Sequence, residues 1–435
     1  MQLDQRVDPD VRPADDLPGD RASGRSGARH RRGIAVVLVV AVLLGLVGYL
    51  RYGDDVQRAA RAITADEPMV VSEQTMLTDL WEVYKDTYLE AGSRRTMDLQ
   101  NGGITTSEGQ SYSMLRAVWM DDQQTFAESW QWTKDNLQRE DSLVSWRFGP
   151  RPDGSYGVQT ELGGDNIATD ADVDIAFALL MAYSRWKQDD YLYDALPVID
   201  GIWEKAVVQV QGEPVLVAND VERLNRQEVL VNPSYVAPYA YRVFAQVDPD
   251  PEHDWPGLVD NSYALLEELN RQPLDAGRAA GLPPDWVLLD RRTGEFRAPD
   301  GDLTTRFSYD ALRLPWRLAL DSRWYGEERA RQLLEREALL ARRWSDDQRL
   351  VASYDRDGTP AADYEAPALY GGAMGYFTVV QPELADEVYA EELLPLYDVD
   401  TNDVAQPLGY YDSNWVWFGM ALHLDQLPNL NVTEE

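Results

Sequence analysis

Three carboxylates spaced two residues apart open the most apolar helical stretch of this sequence. Asp170, Asp172 and Asp174 stand at the start of residues 168–186, which are apolar on every helical face. A helix that is hydrophobic all round is buried, so acidic residues without a charged partner are unusual at its N-terminus. Two interpretations are open. The acids could complement the helix dipole, with Thr169 or the first acid as the cap, or they could line a sugar-binding cleft.

Two further carboxylates stand among residue types that suit a binding cleft. Glu108 lies among small residues in the segment TTSEGQSYSM, where a bulky ligand could approach it closely. Asp310 lies in the segment RFSYDALRLPWR, beside Arg313 and Arg317. Each also has a structural interpretation, because Glu108 could belong to a capping box with a preceding threonine and Asp310 could pair with either arginine.

These segments begin apolar helices that alternate along the chain with amphipathic ones. Amphipathic, outer helices are predicted to begin near Glu73, Gln123, Asp190, Trp255, Glu327 and Leu384. Apolar, inner helices are predicted to begin near Glu108, Asp170, Pro233, Tyr309, Pro367 and Tyr410. Six such hairpins with an apolar inner set predict an all-α protein, an (α/α)6 barrel of two concentric rings. Residues 207–217 and 286–296 predict small β-hairpins in the loops, which would wall a cleft at one end.

If the inner helices run parallel, their starts meet on one face of the barrel. That face would hold Glu108, Asp170 and Asp310 together with Tyr235 and the aromatic residues of 410–417. Two carboxylates among aromatic rings suit hydrolysis of a glycosidic bond. One acid protonates the leaving oxygen while one base activates water.

Composition narrows the chemistry that the chain can perform. The 435 residues include no Cys and only 3 His, so thiol catalysis is excluded and histidine-based metal or triad chemistry is disfavoured. A net charge of −35 argues against a nucleic-acid partner, because phosphate binding needs basic patches. The carboxylates are therefore the main candidates for catalysis, and neither a cofactor nor a metal is implied.

The N-terminal region predicts a membrane anchor. Residues 1–32 have the composition of a disordered tail. Residues 33–50 are 18 residues without a charge, and a helix of that length spans about 27 Å, enough to cross a bilayer. Arginines crowd the preceding flank, so the positive-inside rule places the N-terminus in the cytoplasm and the bulk outside. Residues 51–70 are a spacer and 71–430 the catalytic domain, giving a single-pass protein of the cell membrane.

The motifs around the three carboxylates resemble glycoside hydrolase family 8. The resemblance is carried by SEGQSYSM at 107–114, by the whole of 168–186, and by YDALRLPWR at 309–317, with support from NPSY at 232–235 and SNW at 413–415. It spans roughly residues 75–425. The family comprises inverting endo-glucanases, xylanases and chitosanases on an (α/α)6 barrel.

The resemblance implies a role for each matching residue. Glu108 resembles the general acid, Asp310 the general base, and Asp170 the carboxylate that grips the distorted sugar at the cleavage point. The remaining matches are the hydrogen-bonding neighbours Tyr235, Tyr309 and Arg313 and a stacking platform, Trp146. An inverting pair should stand about 6.5–9.5 Å apart, and Glu108 should have a raised pKa so that it carries a proton near neutral pH.

The resemblance also implies a substrate. Asp310 matches the branch of the family that contains cellulases and xylanases. The chain departs from the family pattern at Ser111 and Ser113, where glycine is frequent. The expected protein is a membrane-anchored, inverting endo-β-1,4-glucanase acting on a β-linked polysaccharide. The alternatives are a xylanase, a lichenase or a chitosanase of the same family, or a non-catalytic glycan-binding accessory. Membrane attachment also suggests exopolysaccharide synthesis machinery as a partner.

Overall fold

The computed structural model describes residues 72–431, which form thirteen α-helices and ten short β-strands. The predicted tail, anchor and spacer at 1–32, 33–50 and 51–70 lie outside the described residues. The helices are α1 Glu73–Tyr88, α2 Ser107–Trp119, α3 Gln123–Asn136, α4 Thr169–Trp186, α5 Asp189–Ala206, α6 Pro238–Val247, α7 Trp255–Arg271, α8 Arg313–Tyr325, α9 Glu328–Arg336, α10 Leu339–Asp347, α11 Pro367–Val380, α12 Pro382–Val388 and α13 Tyr410–His423. The strands are β1 Thr105–Thr106, β2 Arg147–Pro150, β3 Tyr156–Val158, β4 Val207–Val210, β5 Glu213–Leu216, β6 Glu228–Val231, β7 Val287–Asp290, β8 Phe296–Arg297, β9 Tyr397–Asp398 and β10 Asp403–Val404.

Six of the helices form an inner ring. α2, α4, α6, α8, α11 and α13 contact one another in that order, and α13 contacts α2 to close the ring. Each inner helix also packs against an outer partner in the set α1, α3, α5, α7, α9 and α12. This helix-rich arrangement is consistent with the predicted (α/α)6 fold. Because the ring closes through its first and last helices, the start of α13 contacts the start of α2, where Tyr410 reaches Glu108.

The inner helices are buried because nearly every side chain on them is apolar or small. All residues of α4 from 169 to 182 are buried. α11 approaches its two neighbours through glycine, since a methyl group at Gly371 would lie 2.0 Å from the carbonyl oxygen of Trp415, and one at Gly375 would lie 2.2 Å from Pro315 backbone atoms. Alanine at either position would therefore force the helices apart.

Both predicted hairpins are present in the loops. β4 pairs antiparallel with β5 through Gln211 and Gly212, which have φ values of 55° and 92°, and a two-residue turn with both φ positive matches the twist of a hairpin. β7 pairs with β8 as predicted, and β6 adds a third strand to that sheet. The valines and leucines of these strands form a separate small core, which makes this loop region rigid.

Two inner helices begin later than predicted, and one helix was not predicted. α6 begins at Pro238 and is preceded by a 3-10 turn at Pro233–Tyr235. α8 begins at Arg313, so Asp310 lies in the turn before the helix. The unpredicted α10 follows α9 after a break at residues 337–338, where the Glu337 side chain is buried.

Of the two interpretations of the α4 start, capping by Thr169 or Asp170 is wrong. The helix begins after Ala168 without any side-chain cap. The Thr169 hydroxyl instead donates to the carbonyl oxygen of Val217 at 2.7 Å, and Asp170 turns towards the barrel interior. Among residues 72–431, no helix has the length and apolar content needed to cross a membrane.

Candidate active site

One arginine contacts all three of the predicted site carboxylates. Arg313 Nη1 lies 2.8 Å from Glu108 Oε2 and 2.8 Å from Asp170 Oδ2, while its Nη2 lies 2.6 Å from Asp310 Oδ1. Its Nε donates to the Ser234 hydroxyl at 3.1 Å. The structure therefore brings together residues from the starts of α2, α4 and α8, which are far apart in sequence.

The three carboxylates differ in their access to solvent. The Arg313 and Asp170 side chains are 2% and 3% exposed, whereas those of Glu108 and Asp310 are 21% and 26% exposed. Glu108 Oε2 and Asp310 Oδ1 contact different terminal nitrogens of one planar guanidinium, so these oxygens lie no more than about 8 Å apart. A substrate can thus reach two nearby carboxylates while the third is covered.

Glu108 is positioned by the start of α2 and by a tyrosine from α13. Thr106 caps the helix by accepting from the backbone N–H of Gly109 at 3.1 Å, which leaves the Glu108 side chain out of any capping box. The Tyr410 hydroxyl donates to Glu108 Oε1 at 2.9 Å. Burial raises the pKa of Glu108 to about 7, against the opposing effects of Arg313 and of the Tyr410 hydrogen bond. The acid can therefore hold a proton near neutral pH.

Asp310 accepts hydrogen bonds from side chains of two other loops. Asn232 Nδ2 donates to its Oδ1 at 3.0 Å, and Trp286 Nε1 donates to its Oδ2 at 2.9 Å. Together with Arg313, these donors hold both oxygens in place. Neither Asn232 nor Trp286 was among the predicted site residues, although Asn232 opens the NPSY motif and so carried a sequence signal.

A buried carboxylate next to Trp286 holds the turn that carries Asp310. Asp285 Oδ1 accepts from the backbone N–H groups of Ser308 and Ala311 at 3.1 and 2.8 Å, and its Oδ2 accepts from the Ser308 hydroxyl. Burial, reinforced by the charge of Asp310, raises the pKa of Asp285 to about 7. Sequence reasoning missed Asp285, because its partners lie more than 20 residues downstream and nothing local marks it.

The acids of α4 divide into one that faces the site and two that are structural. Asp170 Oδ1 is buried beneath the two partly exposed carboxylates and has no hydrogen-bond partner among the described residues, so it is an acceptor without a donor. Asp172 Oδ1 accepts from the backbone N–H of Val144 at 2.8 Å. Asp174 forms a two-pronged ion pair with Arg317, at 2.7 Å for each oxygen.

The predicted aromatic and tyrosine residues lie at different distances from this centre. The Tyr235 ring centroid is 5.2 Å from the Arg313 guanidinium carbon and 5.8 Å from the Trp286 ring. Tyr309 is half-buried beside Tyr411, with ring centroids 6.1 Å apart. Tyr309, which directly precedes Asp310 in the sequence, also lines a cavity of about 590 Å³ together with Ser308 and Tyr364.

Trp146 connects two parts of the site through its backbone. Its carbonyl oxygen accepts from the N–H of Ser107, the first residue of α2, and its N–H donates to Asn166 just before α4. Its indole N–H donates to Gly163, the ring is 6% exposed, and the Arg147 guanidinium carbon lies 5.3 Å from it. Little of the ring face is therefore open to a sugar in this arrangement.

The centre between the carboxylates is occupied by a guanidinium. Within residues 72–431, no group of three or more His, Asp or Glu side chains is arranged to hold a metal ion. Arg313 supplies the positive charge that a cation would otherwise bring to Glu108, Asp170 and Asp310. The arrangement can hold one proton on an acid, orient a water on a second carboxylate, and accept a hydroxyl group on a third.

The fold and the site together define a carboxylate-based glycosyl hydrolase. A family model described as "Glycosyl hydrolases family 8" matches residues 60–392, more than half of the chain. The chain belongs to glycosyl hydrolase family 8, as the motifs indicated.

Individual relatives agree with that assignment. The chain is 33% identical over 267 residues to a "Probable endoglucanase" of Novacetimonas hansenii, a match that covers 60% of this chain and 71% of the relative. It is 28% identical over 317 residues to "Endoglucanase A" of Acetivibrio thermocellus, covering 69% of this chain and 62% of that relative. The solved structure of the endo-1,4-D-glucanase from Vibrio fischeri ES114 aligns with a TM-score of 0.65 at 25% identity, covering 80% of this chain and 94% of the other.

Proposed function

We propose that this protein is an inverting endo-β-1,4-glucanase with Glu108 as general acid and Asp310 as general base. The observation that carries the proposal is the pair of partly exposed carboxylates held on one guanidinium. The two contacting oxygens are at most about 8 Å apart, a bound that is compatible with the roughly 6.5–9.5 Å of an inverting pair and also with the roughly 5–5.5 Å of a retaining pair. The choice of inversion therefore rests on the family to which the chain belongs.

The reaction follows from the protonation and position of each group. Glu108, with a pKa of about 7, donates its proton to the glycosidic oxygen as the bond to the anomeric carbon breaks. Asp310 accepts a proton from a water that attacks that carbon from the opposite face, so the configuration inverts. Exchange with solvent returns the proton to Glu108 and removes it from Asp310.

The remaining residues hold the sugar and the developing charges. Asp170 Oδ1, which has no hydrogen-bond partner among residues 72–431, accepts a hydroxyl of the sugar at the cleavage point. Arg313 balances the negative charge that passes between the carboxylates during the reaction. Tyr235 lies against that guanidinium and contributes a hydroxyl and a ring edge to the same subsite.

β-1,4-Glucan is proposed as the substrate because the relatives described above are endoglucanases. The test is release of reducing sugar from carboxymethyl cellulose, lichenan, xylan and chitosan by the wild-type protein and by Glu108→Gln. We expect the soluble cellulose derivative to be cleaved fastest and the variant to be inactive on every substrate. Faster cleavage of xylan, lichenan or chitosan would reassign the substrate within the family. Binding without cleavage of any of them would replace the enzyme with a glycan-binding accessory.

We also propose that residues 33–50 anchor the protein in the cell membrane, with residues 71–430 outside the cytoplasm. The support is the uncharged run and the arginines that precede it. The test compares membrane fractions and protease accessibility for the full chain and for a chain that begins at residue 72. Release of the full chain into the soluble fraction would end the proposal, and with it the suggested association with exopolysaccharide synthesis.

A further inference from the structure

A cavity lined by arginines lies on the loop region away from the carboxylates. Its volume is about 620 Å³, within the usual range for ligand sites. Four arginines line it, with one carboxylate and one tryptophan: Arg223, Arg226, Arg291, Arg292, Glu204 and Trp203. The whole chain carries a net charge of −35, so a cavity with three excess positive charges differs in sign from its surroundings.

Two of these arginines are fixed by the backbone. Arg291 donates from Nη1 to the carbonyl oxygen of Asn225 at 2.8 Å and from Nε to that of Gln209 at 3.3 Å. Arg223 donates to the carbonyl oxygen of Val207 at 2.8 Å. Carbonyl partners orient a guanidinium without neutralising it, so the Arg291 charge remains available to a ligand. Arg223 also lies 3.8 Å from the carboxylate of Glu204, which offsets part of its charge.

The guanidinium groups of the other two arginines have no hydrogen-bonding partner in the described part of the chain. The guanidinium groups of Arg226 and Arg292 make no hydrogen bond or ion pair with any residue of 72–431, and both side chains are exposed. Asp290 lies on the same turn as Arg292, and its pKa is lowered mainly by backbone hydrogen bonds from Thr293 and Arg292, with a smaller contribution from the Arg292 charge. Most other arginines of the described chain donate to a carboxylate or a carbonyl oxygen, so two unpaired ones in one cavity are a distinct feature.

The cavity and the carboxylate site lie at opposite ends of one sheet. Asn232 follows β6 and Trp286 precedes β7, and both contact Asp310. Because β6 and β7 are antiparallel and pair Val231 with Val287, the residues before β6 and after β7 meet at the other end. Arg226 lies before β6 and Arg292 lies after β7, so both are at that other end. The paired strands that separate the two ends are about 13 Å long. The cavity is therefore separate from the catalytic cleft.

We propose that this cavity binds an anionic sugar, with its carboxylate or phosphate oxygens on Arg226 and Arg292. Guanidinium groups bind both oxyanions through paired N–H donors. Trp203 also lines the cavity and stacks on His253 with ring centroids 5.2 Å apart, and an aromatic residue in the lining suits a pyranose ring. The site does not depend on the proposed hydrolytic activity.

The test is calorimetric titration of the folded protein with three probes. They are a β-1,4-linked glucuronic acid trisaccharide, glucose 6-phosphate and neutral cellotriose. We expect at least one anionic probe to bind, and the Arg226→Ala/Arg292→Ala double variant to bind it about tenfold or more weakly. Cellotriose binding and glucan hydrolysis should not change in that variant, since neither arginine has an internal partner to lose.

A matched control removes the same charge elsewhere. Arg278 and Arg342 are also exposed and do not line this cavity, so Arg278→Ala/Arg342→Ala should bind the anionic probe like the wild type. Binding of the trisaccharide alone identifies a carboxylated sugar, and binding of glucose 6-phosphate alone a phosphorylated one. The proposal is overturned if neither anionic probe binds the wild type, or if both double variants weaken binding equally. Because binding is measured directly, an inactive protein would contradict the proposed function and leave this result intact.

Discussion

Two arginine–aspartate pairs on the same two helices show how the proposed active site differs from a structural ion pair. Arg313 and Arg317 are four residues apart at the start of α8, and Asp170 and Asp174 are four apart on α4. Each arginine contacts one of these aspartates, at 2.8 Å and 2.7 Å. The residue types and spacing are the same, but the surroundings differ.

The deeper pair, Arg317 and Asp174, lies one turn further along both helices and joins only two charged groups, whereas the outer arginine is shared. Arg317 and Asp174 are 2% and 3% exposed and form two parallel hydrogen bonds, with Tyr239 as a further partner of the arginine. Arg313 must satisfy Asp170, Glu108 and Asp310 with a single charge. Burial of Glu108 and the excess of negative charge around Arg313 favour a bound proton on Glu108. A general acid must hold and release a proton near neutral pH, and Glu108 meets that requirement.

Replacing the two exposed carboxylates should have the largest effect on activity. In Glu108→Gln and in Asp310→Asn we expect kcat on soluble cellulose to fall by about 10²- to 10⁴-fold, the usual contribution of a general acid or base. The free energy of unfolding should change little, because each amide reduces the charge excess around Arg313. Initial rates and denaturant unfolding of the same preparations check both statements. Retention of most of the activity in either variant would remove that residue from its role.

Breaking the deeper pair should have the opposite pattern. Asp174→Asn leaves the Arg317 guanidinium buried without a charged partner, which we expect to cost about 3–5 kcal/mol of unfolding free energy. The Asp174→Leu/Arg317→Met double variant should recover much of that loss, since no buried charge remains. The activity of each folded variant should stay close to that of the wild type. A stable but inactive Asp174→Asn protein would instead assign this pair to the active site.

The pH dependence should follow Glu108 in both activity and stability. Its pKa in the folded chain is about 7, above the ordinary 4.5, so kcat/KM should fall with rising pH around 7 as the acid loses its proton. The unfolded chain already releases this proton near the ordinary value, so stability relative to Glu108→Gln should be highest below about pH 4.5 and decrease as pH rises through about 7. Tyr410→Phe removes the hydrogen bond that Glu108 accepts from Tyr410. If the loss of activity at high pH occurs well above pH 8 and this variant does not shift it, another group is the acid.

Removing the carboxylate that holds the Asp310 turn should have the smallest effect. Asp285→Ala loses the acceptor of the Ser308 and Ala311 N–H groups, so we expect about a tenfold lower kcat with KM nearly unchanged. Asp285→Asn keeps an acceptor oxygen and should recover most of the rate. Such a recovery would show that the lower rate of Asp285→Ala comes from the lost hydrogen bonds and not from a loss of folding. Equal losses of kcat in both variants would show that the charge of Asp285, and not its position, matters to the reaction.

The sequence predicted most of the barrel, because the inner helices carry their own signal. The buried helices are apolar all round, and the predicted starts of α2, α4, α11 and α13 are within one residue of those in the structure. α6 and α8 begin later than predicted, since a 3-10 turn at Pro233–Tyr235 and the turn carrying Asp310 precede them. The first turn is capped by Asn232, and the second is held by Asp285, a partner that no local pattern reveals.

The candidate site was predicted by motif and by position, but its contacts were not. Glu108, Asp170 and Asp310 could be placed at helix starts, whereas their convergence on Arg313 depends on the closure of the ring across 205 residues of sequence. The capping interpretation of Asp170 was wrong for the same reason, because a partner 143 residues away holds it. Trp286 was predicted only as part of a hairpin, and its hydrogen bond to Asp310 exists because β6 and β7 pair in the register that the structure shows.

The stereochemistry of the first product tests the central claim most directly. Proton NMR of cello-oligosaccharide hydrolysis, recorded before mutarotation equilibrates the anomers, reports the configuration at the new reducing end. If Glu108 donates a proton while Asp310 activates a water across Arg313, the β-linked substrate should yield the α-anomer first. Initial formation of the β-anomer would show a retaining reaction and would contradict the assignment of Asp310 as a base acting on water.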